Sequence, residues 1–168
     1  MFLAGDDGKP RPIGELIGNN RQALLAAIPF AMATGMSVSD VGPARASLAL
    51  PWREDLVGDP RSGVLHGGII TALIDNACGT AVICSLTEMA GIATLDLRID
   101  YLRPATPGET VVVNAEVYRS TRSIAFVRAL AHHGDRDKAI AHAVATFMLG
   151  ANKAPINRNI ASEAEQSA

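Results

Sequence analysis

One aspartate lies inside the longest apolar stretch of the sequence, SGVLHGGIITALIDNACGTAV, which covers residues 62–82. On a helix, Asp75 follows His66 by about two and a half turns. A buried carboxylate is costly unless hydrogen bonds or an opposite charge compensate it. Two hypotheses are open: Asp75 is a structural acid satisfied by the backbone or by an arginine, or it is a catalytic group.

The residues around Asp75 favour catalysis. On a helix over about 68–85, the face centred on Asp75 carries only small residues, so a thin ligand could approach it, while the opposite face is bulky. Gly67 and Gly68 would let a ligand reach the N–H groups at the helix start, where the dipole favours developing negative charge. His66 could donate a hydrogen bond or orient the loop. A carbonyl polarised at the helix start and a carboxylate further along would form a hydrolytic pair. The small residues are Gly68, Thr71, Ala72, Cys78, Gly79 and Val82.

Other reactive side chains lack a pattern that supports chemistry. Cys78 and Cys84 point in different directions on the predicted helix, and neither has a neighbouring His or basic residue to activate it. The histidines at 132 and 133 end a strand, where successive side chains point to opposite faces, which disfavours a metal site. The sequence has no GxSxG nucleophile elbow and no glycine-rich phosphate loop. We therefore predict no metal and no cofactor.

Composition narrows the classes of partner. The 168 residues, 48% of them hydrophobic, fit one domain with a sizeable core. The net charge of −2 gives no basic excess and argues against nucleic acid or an anionic membrane as partner. Asp75 interrupts the longest apolar run, which argues against a membrane span. The segment MFLAGDDGKPRP does not resemble a secretory signal, and we expect a cytoplasmic protein.

Hydrophobic periodicity predicts the order of elements. Apolar residues at helical spacing predict a helix over 13–28, ended by Pro29. Strands are predicted over 33–41 and 44–51 before the central helix, and over 92–102, 110–118, 123–132 and 138–149 after it. In the strand over 92–102 the period is two, typical of an antiparallel strand with one buried face. The residues expected on that buried face are Leu95, Leu97, Ile99 and Tyr101.

One long helix followed by a four-strand meander is an α+β order. Five or six antiparallel strands curling around this helix would bury it on nearly every side, which explains why it is apolar almost all round. We predict an N-terminal helical segment over 1–29, the folded domain over 30–150, and a polar, disordered tail over 151–168.

Three segments together resemble one protein family. LHGGIITALIDNA, TLDLRIDYLRPATPGE and YRSTRSIAFVRA are similar to the hotdog-fold acyl-CoA thioesterases, in the branch named for the phenylacetate-degradation (PaaI-like) thioesterase. The likeness runs over residues 51–149. It implies a hotdog fold, in which a curved antiparallel sheet of five or six strands wraps a long helix. It also implies edge-to-edge dimers with the active site at the interface, often assembled as dimers of dimers, and an acyl-CoA substrate whose coenzyme A is not a cofactor.

The resemblance also implies roles for four residues. Asp75 matches the family carboxylate that acts as general base on a water, or as nucleophile, toward the thioester carbon. The Gly67 N–H matches the donor that polarises the thioester carbonyl, with His66 supporting its loop. Thr94 matches the hydroxyl residue that holds the water or the carboxylate.

Coenzyme A contacts are implied at the strand end 101–106 and in the turn 119–124. The arginines in these segments are candidates for the phosphates, although each could equally be ordinary solvated charge. One departure stands out: many relatives carry an Asn shortly before HGG, where this chain reads GDPRSGVLHGG, and Asp59 is not an equivalent donor. The candidate contact residues are Tyr101, Arg103, Pro104, Arg119, Arg122 and Ser123.

Two functions remain in competition. The chain is either a thioester hydrolase acting on acyl-CoA, or a non-catalytic hotdog protein that binds acyl-CoA or acyl carrier protein. Asp75, Gly67 and Thr94 occurring together favour the enzyme. A hotdog dehydratase would need a different arrangement of His and acid, which the sequence does not contain. No motif selects the acyl group.

Overall fold

Six antiparallel strands wrap one long helix in the computed structural model, which describes residues 10–150. The strands are β1 (Ser37–Gly42), β2 (Arg45–Leu50), β5 (Ile92–Tyr101), β6 (Val111–Ser120), β7 (Ile124–His132) and β8 (Ala141–Leu149), with a separate ribbon of β3 (Val57–Asp59) and β4 (Val64–Leu65). The strand order is β1-β2-β6-β7-β8-β5, so β1 and β5 are the edges. The long helix α4 (Gly67–Ser85) contacts every strand of this sheet, which confirms the predicted α+β hotdog fold.

The central helix α4 (Gly67–Ser85) is the main contributor to the core. Leu73 and Ile74 are fully buried, and each such side chain contributes about 1.5–3 kcal/mol of hydrophobic free energy. Ala77 and Ala81 are also fully buried. By length and composition alone α4 could cross a membrane, but its buried side chains pack against the sheet.

The N-terminal segment does not form the single helix predicted over 13–28. It contains α1 (Ile13–Leu16), a 3₁₀ turn (Gly18–Asn20) and α2 (Ala23–Ala26). Gly18 has a φ of +47°, which an α-helix does not accommodate, so the helix is interrupted there. Pro29 begins a helix instead of ending one: α3 spans Pro29–Thr34, with proline at its first position.

Four of the six predicted strands agree with the structure to within two residues at each end. The strand expected over 138–149 starts only at Ala141, and the ribbon of β3 and β4 was not predicted. The strand expected over 33–41 starts late, at Ser37, because residues 33 and 34 belong to α3. The predicted tail, 151–168, lies outside the described residues, and the proposed division of the chain at residues 29 and 150 stays a prediction. Ile13 and Leu25 are nonetheless buried within the described part, and the Ile13 N–H donates to the Leu86 carbonyl at 2.7 Å.

The edge strand β5 departs from strict alternation. Its register against β8 shifts between Thr94 and Asp96, which marks a β-bulge at Leu95. At this bulge the alternation of side chains between the two faces of the strand is interrupted. Leu95 is 54% exposed, and the expectation that it faces the core is wrong. Leu97 and Ile99 do pack against the core, as predicted. Tyr101 is 48% exposed, so the expectation that it lies on the buried face is wrong. The bulge also turns Thr94, expected on the solvent face, toward α4.

Candidate active site

A strip of α4 faces the edge strand β5, and two hydrogen bonds join them. Near the start of β5, Thr94 Oγ1 donates to Asp75 Oδ1 at 2.9 Å. At the end of β5, the Tyr101 hydroxyl donates to the Gly67 carbonyl at 2.8 Å. The helix and the strand therefore run antiparallel, with all four residues along one line of contact.

The accessible part of the small-residue face of α4 is shorter than the sequence predicted. Cys78 and Val82 are fully buried, and the Cα of Gly79 faces Ile92 and Phe147 of the sheet. Only the N-terminal half of the strip stays accessible to a ligand. That half contains Gly67, Gly68, Thr71, Ala72 and Asp75.

Asp75 is half-buried and held on one side only. Its Oδ1 accepts the Thr94 hydrogen bond, while Oδ2 has no hydrogen-bond partner within residues 10–150. No arginine of this described range forms an ion pair with it. The alternative of a structural acid neutralised by an arginine therefore has no support here, and one carboxylate oxygen is available to a water or a substrate.

His66 caps the start of α4. Its Nδ1 accepts a hydrogen bond from the Gly68 N–H at 2.9 Å, which requires Nδ1 to be unprotonated. The His66 carbonyl accepts from the Ile69 N–H at 3.0 Å. The Gly67 N–H, at the first helical position, has no hydrogen-bond partner in the part of the chain that the structure describes. One backbone donor thus remains for a ligand, at the positive end of the helix dipole.

The two glycines differ in the space around them. A Cβ on Gly68 would come within 2.9 Å of His66 Nδ1, so a side chain there would displace the cap. A Cβ on Gly67 would meet nothing closer than the Tyr101 hydroxyl at 3.7 Å, an ordinary contact. A side chain at position 68 therefore conflicts with the His66 cap, whereas at position 67 the described residues leave room for one.

Tyr101 lies at the helix start, and Thr71 joins it there. Thr71 Oγ1 is 2.9 Å from the Tyr101 hydroxyl and donates to the Gly67 carbonyl at 3.2 Å. From the sequence, Thr71 was identified only as one of the small residues around Asp75, without a functional role. Its spacing of one helical turn from Gly67, on the face of Asp75, was the signal that could have identified it.

The implied coenzyme A residues fall into two separate groups. Tyr101, Arg103 and Pro104 line a cavity of about 390 Å³ beside Gly67, and the Arg103 guanidinium donates to the Lys138 carbonyl at 2.7 Å. Arg119 lines another cavity beside Ser85, at the opposite end of α4. Arg122 and Ser123 follow in the adjoining turn. A single protomer does not bring these groups together.

Arg119 and Arg122 differ from most other arginines of the chain. Both are exposed, and neither forms a hydrogen bond or an ion pair within the described residues. Arg128, by contrast, pairs with Glu116 at 2.9 Å. The turn consequently carries positive charge that no carboxylate of the described range neutralises.

Asp59 does not replace the Asn found in relatives. Its carboxylate accepts hydrogen bonds from the Arg61 N–H at 3.1 Å and the Ser62 hydroxyl at 3.1 Å, within its own turn. These bonds, the Arg61 backbone N–H foremost, lower the pKa of Asp59. Both oxygens are engaged locally.

The remaining cysteines and histidines have structural surroundings. Burial, with the Asp75 carboxylate as a smaller cause, raises the pKa of Cys78 to about 12, and burial raises that of Cys84 to about 11. Both thiols are therefore protonated at neutral pH. The His132 imidazole is hydrogen-bonded to Asn114 Oδ1 at 2.6 Å, and His133 Nε2 accepts a hydrogen bond from the Thr106 N–H at 2.9 Å. Within residues 10–150, no group of three or more His, Cys, Asp or Glu side chains could hold a metal ion.

Comparison with known proteins identifies the family. The model of the thioesterase superfamily matches residues 62–140. The medium/long-chain acyl-CoA thioesterase YigI of Escherichia coli (strain K12) is 32% identical over 136 residues, covering 73% of this chain and 86% of YigI. A crystal structure of a Pseudomonas aeruginosa protein is 39% identical with a TM-score of 0.70, covering 76% of this chain and 95% of that one.

A mutant of the phenylacetic acid degradation protein PaaI from Thermus thermophilus is 29% identical with a TM-score of 0.63. The match covers 71% of this chain and 97% of that one. These similarities confirm the resemblance stated from the sequence and the predicted enzyme class, a thioester hydrolase. The chain belongs to the thioesterase superfamily.

Proposed function

We propose that this protein hydrolyses acyl-CoA thioesters to a free acid and coenzyme A. The observation that carries the proposal is that α4 presents a carboxylate held by Thr94 and, at Gly67, an N–H without a hydrogen-bond partner in residues 10–150. The similarity to YigI, named a medium/long-chain acyl-CoA thioesterase, supports the choice of substrate. Medium- and long-chain acyl groups are accordingly the first to test.

The chemistry assigned to each group follows from its position. Asp75 Oδ2 removes a proton from a water as the water oxygen bonds to the thioester carbon, or attacks that carbon directly. The carbonyl oxygen, which becomes negative, accepts the Gly67 N–H hydrogen bond at the helix start. The carbon–sulfur bond then breaks, and in the general-base case the thiolate of coenzyme A leaves with the proton that Asp75 took from the water. After direct attack, a water hydrolyses the acyl–Asp75 anhydride, which gives the free acid, a proton for the thiolate and the restored carboxylate. Neither a metal nor a cofactor is needed.

Helix geometry supports a site in which the two groups come from different protomers. Gly67 and Asp75 are eight residues apart on α4, so the N–H of one lies ~12 Å along the axis from the carboxylate of the other. A carbonyl bound to one cannot be attacked from the other at that distance. We infer that the working site combines the Gly67 N–H of one protomer with Asp75 of its partner.

The edge strand β5 offers the surface for this pairing. Its outer side has no strand neighbour among the described residues, and exposed apolar side chains lie on it at Leu95 and directly after it at Leu102. Antiparallel pairing of two β5 edges about a two-fold axis would set the Tyr101 end of one strand against the Thr94 end of the other. Gly67 of one protomer would then approach Asp75 of its partner.

The same pairing would unite the two coenzyme A groups. Leu149 pairs with Ile92, at the start of β5, and its N–H donates to the Ser123 carbonyl at 2.8 Å. The turn with Arg119 and Arg122 is thus tied to the start of β5. Across the two-fold axis it would face the partner's Arg103 and the partner's Pro104, where the nucleotide could bridge both protomers. Assembly of such dimers into tetramers, and a cytoplasmic location, remain predictions.

A thiol-release assay tests the function. Purified protein is offered a panel of short-, medium-, long-chain and aryl acyl-CoAs, with coenzyme A release followed by a thiol reagent. We expect turnover by the parent and almost none by Asp75→Asn. Tight binding of acyl-CoA by the parent without thiol release on any member would instead establish the competing function, a non-catalytic binding protein.

A further inference from the structure

The peptide unit between Gly67 and Gly68 is held at both of its polar ends. Its N–H donates to His66 Nδ1 at 2.9 Å, and its carbonyl accepts from the Tyr101 hydroxyl at 2.8 Å and from Thr71 Oγ1 at 3.2 Å. The two hydroxyls are themselves 2.9 Å apart. The neighbouring N–H, that of Gly67, is the one left without a partner within residues 10–150.

This restraint sits where the backbone has most freedom. Two successive glycines permit many φ/ψ combinations, and the N–H groups in the first turn of a helix have no intrahelical acceptors. The Gly67 N–H belongs to the preceding peptide, which meets the Gly67–Gly68 peptide at the Gly67 Cα. A displacement of the Gly67–Gly68 peptide would move that Cα and, with it, the position of the Gly67 N–H. A donor of this kind stabilises an oxyanion only when it is aimed in advance at the position of the developing charge.

We propose that Tyr101, assisted by Thr71, is a positioning residue that aims the Gly67 N–H at the thioester oxygen. The inference rests on the proposed thioesterase function. Tyr101 acts through the Gly67 carbonyl from the end of β5, so the oxyanion donor is fixed to the same strand that carries Thr94 near its start. One edge strand thus fixes both functional groups of α4: the Gly67 donor through Tyr101 and the Asp75 carboxylate through Thr94.

This role differs from a contact with coenzyme A. A residue that binds the nucleotide acts equally on ground and transition states and changes KM. A residue that aims an oxyanion donor acts where charge develops and changes kcat. The Tyr101 ring also lies over Gly67, with Cζ 3.9 Å from the position that a Cβ would occupy, so the phenyl wall is retained when only the hydroxyl is removed.

Tyr101→Phe is the direct test, with Tyr118→Phe as the matched control. The chain has two tyrosines, and Tyr118 pairs with Phe126, away from the start of α4. Because misaligned catalytic groups cost large factors in rate, we expect Tyr101→Phe to lower kcat by about tenfold with KM close to that of the parent. Tyr118→Phe, which lies beside Arg119 and far from Gly67, should keep the kcat of the parent.

Thr71 supplies a second, independent variant. Thr71→Val removes the hydroxyl at constant shape and should lower kcat, whereas Thr71→Ser, which keeps it, should retain more activity than Thr71→Val. In addition, amide hydrogen exchange of Gly68 should be faster in Tyr101→Phe than in the parent, since the peptide that donates to His66 is then less restrained. This readout does not depend on turnover.

The outcomes separate the two proposals. An unchanged kcat in Tyr101→Phe, with an active parent, overturns the positioning role alone. A raised KM at constant kcat also overturns it, and assigns Tyr101 to coenzyme A binding. A parent that releases no thiol from any acyl-CoA overturns the thioesterase function itself, whatever the exchange data show.

Discussion

Thr94 donates a hydrogen bond to Asp75 across the gap between the edge strand and the central helix, at 2.9 Å. The bulge in β5 makes this contact possible, because it turns Thr94 toward the helix and leaves Leu95 exposed. The bond fixes one carboxylate oxygen and leaves the other free to meet a water or a thioester carbon. A local irregularity in one strand is thus tied directly to the orientation of the proposed catalytic group.

Asp75→Asn should abolish most of the activity while the fold persists. The amide keeps the shape but can neither accept a proton from water nor attack the thioester, so kcat should fall by roughly two to four orders of magnitude. The midpoint of urea unfolding should stay the same or rise, since a half-buried charge is lost. The matched control is Asp59→Asn, whose carboxylate serves its own turn. Near-normal turnover by Asp75→Asn would remove this residue from the mechanism.

Gly67→Ala should damage activity without damaging stability. The added methyl makes only an ordinary contact with the Tyr101 hydroxyl at 3.7 Å, but it stands beside the N–H that the thioester oxygen must reach. The oxyanion contribution at stake is about 3 kcal/mol, so kcat/KM should fall by up to about a hundredfold. Gly79→Ala is the control, because its methyl also makes ordinary contacts, with Ile92 and Phe147.

Gly68→Ala provides a contrast within the same experiment. Its methyl would lie 2.9 Å from His66 Nδ1, so the cap must move, and its melting temperature should be below that of Gly67→Ala. Normal hydrolysis by Gly67→Ala would show that no thioester oxygen approaches this N–H.

Replacing Arg119 and Arg122 together by Ala should weaken substrate binding and spare the chemistry. Contacts made equally in the ground and transition states raise affinity without raising kcat, so KM should increase and kcat should stay near that of the parent. The effect should shrink with added salt, since exposed charges are screened beyond about 8 Å at physiological ionic strength. Arg128→Ala, which removes a cation already paired with Glu116, is the control.

A truncated acyl-pantetheine, which lacks the nucleotide, identifies what these arginines bind. The double variant and the parent should hydrolyse it equally well. An equal loss on both substrates would mean that the arginines are structural and that the phosphates bind elsewhere.

The sequence predicted the parts of the site that depend on regular periodicity. The helix carrying Asp75 and the strand after it follow from the change of period from 3.6 to two, and His66 at the helix start follows from its place before two glycines. Irregular backbone was not predictable in this way. The positive φ of Gly18 breaks the N-terminal helix, and the bulge at Leu95 exchanges the faces on which Thr94 and Leu95 lie. Neither feature can be recognised from the spacing of apolar residues in the sequence.

The pairing of Tyr101 with Gly67 illustrates a second limit of periodicity. Tyr101 was expected on the buried face of its strand, but its side chain is exposed and its hydroxyl meets a helix start that lies 34 residues earlier in the chain. The contact with coenzyme A that the family resemblance implies for Tyr101 stays a prediction. Such a contact depends on how α4 crosses the end of β5, a tertiary relationship that the pattern of either element alone does not contain.

Mixing two inactive variants tests whether the site is shared between protomers. In a dimer of one Asp75→Asn chain and one Gly67→Val chain, one composite site combines the intact Gly67 of the first with the intact Asp75 of the second. The other composite site carries both lesions. Random reassociation yields mixed dimers as half of the population, each with one working site of two, so about a quarter of the parental activity should return.

The same mixture gives a different result if each site lies within one chain. Each site of the mixed dimer then carries one of the two substitutions, and no activity returns. Each variant refolded alone is the control, and thiol release before and after reassociation is the measurement. Because Gly67 and Asp75 stand ~12 Å apart along one helix, we expect the activity to return.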